Sequence, residues 1–196
     1  LNAANAWAVV CYYELCAYGS VHETDNHGGN GYVFEYENSM TNKQALSCQC
    51  LCGQTQVAVA NPPMLRFHCH CTICQDLYKQ PFSDVTVMWA KDATLTQGEQ
   101  VAYKRPGLLL KRGVCIQCEQ PIFATMTLFP GVKLAFVPAN RYDDQVRLPQ
   151  VTAHIFYHRR QSDSDDGLLK VKGFMKSELA ISWLIVKSAF TQLFMR

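Results

Sequence analysis

Ten cysteines in a chain of 196 residues pose the chemical question, because a thiolate is a nucleophile, a metal ligand or half of a disulfide. Eight of them fall in three short clusters: Cys48-Gln-Cys50-Leu-Cys52, Cys69-His70-Cys71-Thr-Ile-Cys74 and Cys115-Ile-Gln-Cys118. Disulfide frameworks tie distant loops together and scatter their cysteines; these are bunched. Residues i and i+2 of a strand project to one face, so Cys-x-Cys offers two sulfurs to a single ion. Cys-x-x-Cys fits a tight turn wrapped around one. Zinc takes four ligands in tetrahedral array, with sulfur at about 2.3 Å. Two pairs can therefore close one site, and a group of three can make a site with an open position. The first 13 residues contain no Lys or Arg, unlike the start of a secretory leader. A thioredoxin-like redox role for Cys115 and Cys118 lacks the βαβ surroundings it needs. The reading is zinc held by reduced thiolates, which suits the cytoplasm.

The elements that must position these sulfurs are mostly short strands. Gln54–Ala60 partly alternates and ends at Asn61-Pro62-Pro63, a turn signal. Met64–His70 reads as a strand running into the second cluster, and Phe82–Ala90 as another β-rich run after Pro81. Thr94–Thr96, Val101–Lys104 and Leu108–Lys111 are shorter candidates. Pro121–Leu128 and Val132–Val137 flank Phe129-Pro130-Gly131, a hairpin connection. Gln161–Gly167 is a polar surface loop without the acidic spacing of an EF-hand. Residues 177–195 read as a helix capped by Ser177, interrupted by Lys187, Ser188, Thr191 and Gln192, so it docks on the domain rather than spanning a membrane. The fold class is mainly β with a C-terminal helix.

Charge divides the chain. The formal net charge is +2, which does not favour nucleic acid. Residues 1–39 carry five acids (Glu14, Glu23, Asp25, Glu35, Glu37) and no Lys or Arg, a net of −5, leaving 18 basic and 11 of the 16 acidic residues, a net of +7, to 40–196. Met40 is the first methionine, so 1–39 reads either as an extraneous extension or as a natural one carrying a short strand near Tyr32–Tyr36, with Cys11 and Cys16 left outside the site. The domains follow as 1–39 extension, 40–174 zinc-binding domain and 175–196 helix.

Cys50-Leu-Cys52-Gly53, then Cys69-His70-Cys71-x-x-Cys74, then Cys115-x-x-Cys118 resembles the glutathione-dependent formaldehyde-activating enzyme family, which includes centromere protein V. Leu95-Thr-Gln-Gly98-Glu99, Pro121-Ile-Phe123 and His154-Ile155-Phe156 extend the resemblance over about Cys48–Phe174. It implies an Mss4-like fold of short antiparallel strands whose turns bind zinc. It also implies a division of sulfurs: Cys50, Cys52, Cys115 and Cys118 in a closed structural site, and Cys69, Cys71 and Cys74 around a second zinc with an open position. Cys48 is an extra sulfur that alternates with Cys50 and Cys52 and could replace one of them, though Gly53 after Cys52, as in the family, favours the Cys50 and Cys52 pair. Glu119 stands where the family usually has Gly, and Gln75 where it commonly has Arg or Lys.

The activity the resemblance implies is that of a carbon–sulfur lyase acting on glutathione–formaldehyde adducts, an S-(hydroxymethyl)glutathione synthase, with two zincs per chain and glutathione as co-substrate. Its partners are a small thiol and an aldehyde. The reaction needs a proton donor, for which His70, His68 and His154 are candidates, although strand alternation points His70 away from the metal. Arg66, Lys104, Arg105, Lys111 and Arg112 are candidates for the glutathione carboxylates. The rival reading is a zinc-stabilised glutathione carrier or protein-binding module without turnover.

Overall fold

The computed structural model describes residues 45–98, 101–104 and 109–194, so the proposed extension 1–39 lies outside the described residues. Among the described residues, eleven strands follow in chain order: β1 (Leu46–Gln49), β2 (Gln56–Val59), β3 (Leu65–Cys69), β4 (Ser83–Trp89), β5 (Ala93–Gln97), β6 (Val101–Lys104), β7 (Leu110–Cys115), β8 (Pro121–Phe129), β9 (Val132–Pro138), β10 (Val151–Ile155) and β11 (Leu169–Lys170). Two described α-helices join them, α1 (Thr72–Tyr78) and α2 (Phe174–Phe194).

The strands make two sheets. One is β1-β2-β5; the other runs β11-β10-β3-β4-β9-β8-β7-β6. Most neighbours are antiparallel, joined by short turns such as Phe129-Pro130-Gly131 between β8 and β9. The exceptions are β10 with β3 and β10 with β11, which pair in parallel. A parallel neighbour cannot follow through a tight turn, and β10 reaches β3 from 82 residues later in the chain.

Alternation on the central strands β4 and β9 explains the layers. Met88, Ala135 and Val137 face one way and join Leu46, Val57, Val59 and Ile122 in a buried cluster. Val85, Val87, Leu134 and Phe136 face the other way and join Leu65, Phe67, Ile155 and Ile185 in a second cluster. Residues of β1 and β2 thus cover one face of the large sheet, and α2 covers part of the other through Ile185, Ile181 and Leu184. A strand apolar on both faces needs cover on both sides. That requirement gives α2 its place.

Helix α2 begins at Phe174, three residues before the expected start. Ser177 does not cap it; it is fully buried, its Oγ accepting from the Phe156 amide at 2.8 Å and donating to the Gly173 carbonyl at 2.7 Å. A single hydroxyl thereby joins the helix to the end of β10. The short strands β1, β10 and β11 and the helix α1 carry too few apolar positions to show a period in sequence.

Candidate functional site

The two sulfur groups lie in different parts of the core. Cys50 and Cys115 belong to the cluster under the small sheet, Cys69 and Cys74 to the cluster on the α2 side.

Cys50, Cys52, Cys115 and Cys118 bring their sulfurs within 4.8 Å of one another. Two turns of matching design carry them. After β1, the Cys50 amide donates to the Thr55 carbonyl and the Gly53 amide to the Cys50 carbonyl, both at 3.0 Å. After β7, the Cys115 amide donates to the Gln120 carbonyl and the Glu119 amide to the Cys115 carbonyl, both at 2.9 Å. The residue after the last cysteine of each turn has left-handed backbone: Gly53 at φ +75° and Glu119 at φ +53°. A family glycine at position 119 thus has a physical reason, since a side chain there costs about 1–2 kcal/mol of backbone strain. Thr55 bridges the turns: its amide donates to Cys50 Sγ at 3.2 Å, and its side chain hydrogen-bonds Cys115. Nothing in the spacing of the cysteines points to this threonine.

The sulfur separations match what a metal requires. Cys50 Sγ to Cys52 Sγ is 3.4 Å and Cys52 Sγ to Cys115 Sγ is 3.6 Å. Sulfurs at the corners of a tetrahedron of radius 2.3 Å stand about 3.8 Å apart. A disulfide would need about 2.05 Å, and all eight described cysteines are free. Against the cost of burial, the Thr55 side chain and the amides of Cys118 and Gln117 draw the Cys115 thiol down to about 6. Cys52 accepts from the Gln54 backbone, yet burial and the sulfurs of Cys50, Cys118 and Cys115 push it up to about 12. Crowded thiols cannot all ionise beside one another; a divalent cation among them reverses that repulsion.

Cys69, Cys71 and Cys74 likewise hold their sulfurs within 4.8 Å. Cys69 ends β3, Cys71 caps α1 by accepting from the Cys74 amide at 3.4 Å, and Cys74 lies inside the first turn. The second cluster is therefore a strand end joined to a helix start, not a plain turn. Hydrogen bonds from Cys69 and Cys74 hold the Cys71 thiol well below the ordinary range, while the same contacts push Cys69 far up. The donor set fits a soft or borderline cation such as zinc, with one ligand fewer than a tetrahedron needs.

Cys48 stays out of both groups. It is fully buried, and burial reinforced by Asp143 pushes its thiol up to about 12. Tyr142 hydrogen-bonds it and also meets Thr86 Oγ1 at 2.8 Å.

The histidines occupy the opposite face of β3 from Cys69, as alternation requires. His70 Nε2 meets His154 Nδ1 at 2.8 Å, and His154 Nε2 meets Asp166 Oδ2 at 2.6 Å. The carboxylate of Asp166 also accepts from Ser164, Lys170 and the Leu168 amide. An ionised Asp166 accepts a hydrogen bond from Nε2–H of His154, whose Nδ1 is then an acceptor for Nε2–H of His70. Burial, reinforced by His154, lowers His70 to about 4, so this ring is neutral. His68 and His70 pack on Phe82 at 4.4 and 5.3 Å. Asp166 belongs to the segment read from sequence as a free surface loop; in the fold it closes this buried chain.

One substituted position finds a role. Gln75 Nε2 donates to the carbonyls of His70, Pro81 and Arg159 at 3.0, 3.0 and 2.8 Å, pinning α1 to the loops around it. The longer basic side chains the family favours are donors of the same kind. Of the basic residues considered for carboxylate binding, Arg66 is held by Asp84 in a two-pronged pair at 2.9 and 2.6 Å. Arg112 lies near enough to the three-sulfur group to favour the Cys71 thiolate. Arg105 lies outside the described residues.

Compared with known proteins, residues 45–159, more than half of the chain, match the glutathione-dependent formaldehyde-activating enzyme family. The matched span holds all eight described cysteines. No curated protein matches. A crystal structure of a Rhodobacter sphaeroides protein aligns with a TM-score of 0.42 at 16% identity, covering 54% of this chain and 96% of that one. No described helix is long and apolar enough to cross a membrane.

Proposed function

The chain belongs to the glutathione-dependent formaldehyde-activating enzyme family, and on that premise we propose that it forms and cleaves the carbon–sulfur bond of a glutathione–formaldehyde adduct, as an S-(hydroxymethyl)glutathione synthase-like lyase. The observation that carries the reading is the inequality of the two sulfur groups, four in one and three in the other. In this reading Cys50, Cys52, Cys115 and Cys118 would hold a structural zinc, and Cys69, Cys71 and Cys74 would hold a second zinc beside which the substrate thiol is bound. Bound there, zinc lowers the pKa of a coordinated thiol and so supplies thiolate at neutral pH.

The reaction joins the glutathione sulfur to the aldehyde carbon; the C=O π pair becomes an O–H bond with the proton the thiol gives up. An ordinary thiol is a few per cent ionised at pH 7, so full ionisation raises the reactive form by at most ~30-fold, about 2 kcal/mol. The larger part must come from holding thiol and aldehyde together. Here the residues of the chain act. The Cys71 cap fixes the first turn of α1, and with it Cys74, against the end of β3. Gln75 anchors that turn to three carbonyls. Arg112, which favours the Cys71 thiolate, is our candidate to attract a glutathione carboxylate. His70 remains our candidate for proton transfer only by way of its unpartnered Nδ1: with the ring neutral and Nε2–H given to His154, Nδ1 must first take up the proton the thiol releases before it can give one. We place the protein in the cytoplasm, where thiols stay reduced.

The test counts zinc per purified chain, then follows adduct formation from glutathione and formaldehyde above the spontaneous rate. Two zincs and turnover are expected, with turnover and one zinc lost in Cys71→Ser. Two zincs without any glutathione binding would sink the reading; glutathione binding without turnover would leave a carrier.

A further inference from the structure

Helix α2 is apolar on two opposite sides. One side packs on the large sheet through Ile181, Leu184 and Ile185. The other presents Met175, Leu179, Trp183, Val186, Phe190 and Phe194 to solvent, each 48–82% exposed. At 100° per residue these six fall within a single stripe about 100° wide along the whole helix. Their exposed surface comes to about 800 Å² on the usual side-chain areas, beyond the ~300–600 Å² of the largest patch on a typical monomer. It also equals the ~800 Å² per partner of a standard stable interface.

The spacing of the stripe is symmetric about its centre. The steps from 175 through 179, 183, 186 and 190 to 194 are four, four, three, four and four residues. When two such helices lie antiparallel across a twofold axis, with the axis between residues 184 and 185, Trp183 meets Val186 of the second copy. Leu179 then meets Phe190 and Met175 meets Phe194. Each contact pairs a larger side chain with a smaller one, and each occurs twice, as an isologous interface demands. The same register sets Lys187 against Ser182 and Glu178 against Thr191, so no like charges are forced together. A lipid surface has no use for a register; a second copy of the same helix does.

We propose that the outward face of α2 is a homodimer interface, in which the α2 helices of two chains pack antiparallel about Trp183. The inference is independent of the catalytic reading, because the stripe shares no residue with either sulfur group.

Sedimentation of the full-length, zinc-loaded protein across a dilution series tests it, with Trp183 fluorescence read in parallel. A dimer is expected that dissociates on dilution, its emission moving to the red as Trp183 meets water. Trp183→Glu should weaken association on the order of 30-fold or more, with zinc content and circular dichroism unchanged. Leu109→Glu, at an exposed leucine 80% accessible in another part of the molecule, should leave association intact. Phe190→Glu serves as a second variant if Trp183→Glu fails to fold. A monomer at every concentration would overturn the proposal, whether the stripe is covered by the same chain or bare. So would a dimer indifferent to both α2 variants, or a monomer that instead partitions onto phosphatidylcholine vesicles through Trp183.

Discussion

Gly98 sits at the end of β5 with φ +77°, and a Cβ placed there would lie 2.7 Å from the Gln54 carbonyl oxygen and 2.9 Å from Thr55 Oγ1. The first of these atoms is backbone and cannot swing aside. Gly98→Ala therefore pays twice. The left-handed backbone costs about 1–2 kcal/mol with a Cβ, reduced by ~0.4–1 kcal/mol because alanine also stiffens the unfolded chain. The contact adds about 1–3 kcal/mol, as overpacking does elsewhere. Gly131 isolates the first contribution: its φ is +87° and an added Cβ meets nothing within 4 Å. The expected difference between Gly98→Ala and Gly131→Ala is thus about 2 kcal/mol, a gap of roughly 4–8 °C in Tm for a chain of this size. The clash also has a chemical consequence. Thr55 is the residue whose amide and side chain reach Cys50 and Cys115, so Gly98→Ala should surrender zinc to a competing chromophoric chelator sooner than Gly131→Ala does. Thermal melts and chelator titrations on the two variants decide the matter. Equal melting temperatures would refute the packing argument, and unequal melting with identical zinc retention would refute the link through Thr55.

Zinc removal should act unequally on the two sulfur groups. The four-sulfur group joins turns 63 residues apart, and zinc binding to such a set is worth about 10–16 kcal/mol against a domain stability of about 5–15 kcal/mol. Strong chelation or Cys50→Ser should therefore abolish cooperative unfolding in calorimetry, whereas Cys71→Ser should keep it. Asp84 supplies a pH dependence. Burial pushes its carboxyl up, but the Arg66 and His68 hydrogen bonds outweigh that and hold it below the usual range. Its stabilisation is therefore present above about pH 4, the unfolded carboxylate value, and is lost as pH falls through the lower folded value. Asp84→Asn should cost about 2 kcal/mol at pH 7 and flatten the acid limb of a stability–pH curve. Gln75→Ala should cost about 1–2 kcal/mol by leaving carbonyls short of a donor, with kcat/KM falling as α1 loosens. Gln75→Lys should recover most of both in urea melts and steady-state assays.

Much of the fold was legible where β-rich runs are bounded by turn signals. β3, β4, β8 and β9 follow from such runs and the turn at Phe129-Pro130-Gly131, the central pair being apolar on both faces. β1, β10 and β11 were not legible. Two to five residues carry no period, and what makes them strands is a partner elsewhere in the chain: Cys48 opposite Val57, or Ile155 beside Cys69. Ser177 misled for a related reason, since a serine at a helix start is usually a cap and only the fold shows its hydroxyl spent on Phe156.

The cysteine spacing alone determined that sulfurs would gather in small groups, because ligands two or three residues apart share one ion by local geometry. The family resemblance divided them into four and three, and the folded chain brings together those same sets. What only the tertiary structure decided is everything set by long-range contact. It buried Cys48 away from both groups and put Thr55 between two turns far apart in sequence. It also drew Asp166 out of a polar loop to the end of a histidine chain. Local geometry reaches three or four residues along a chain; hydrogen bonds between residues tens of positions apart exist only once burial has brought their strands side by side.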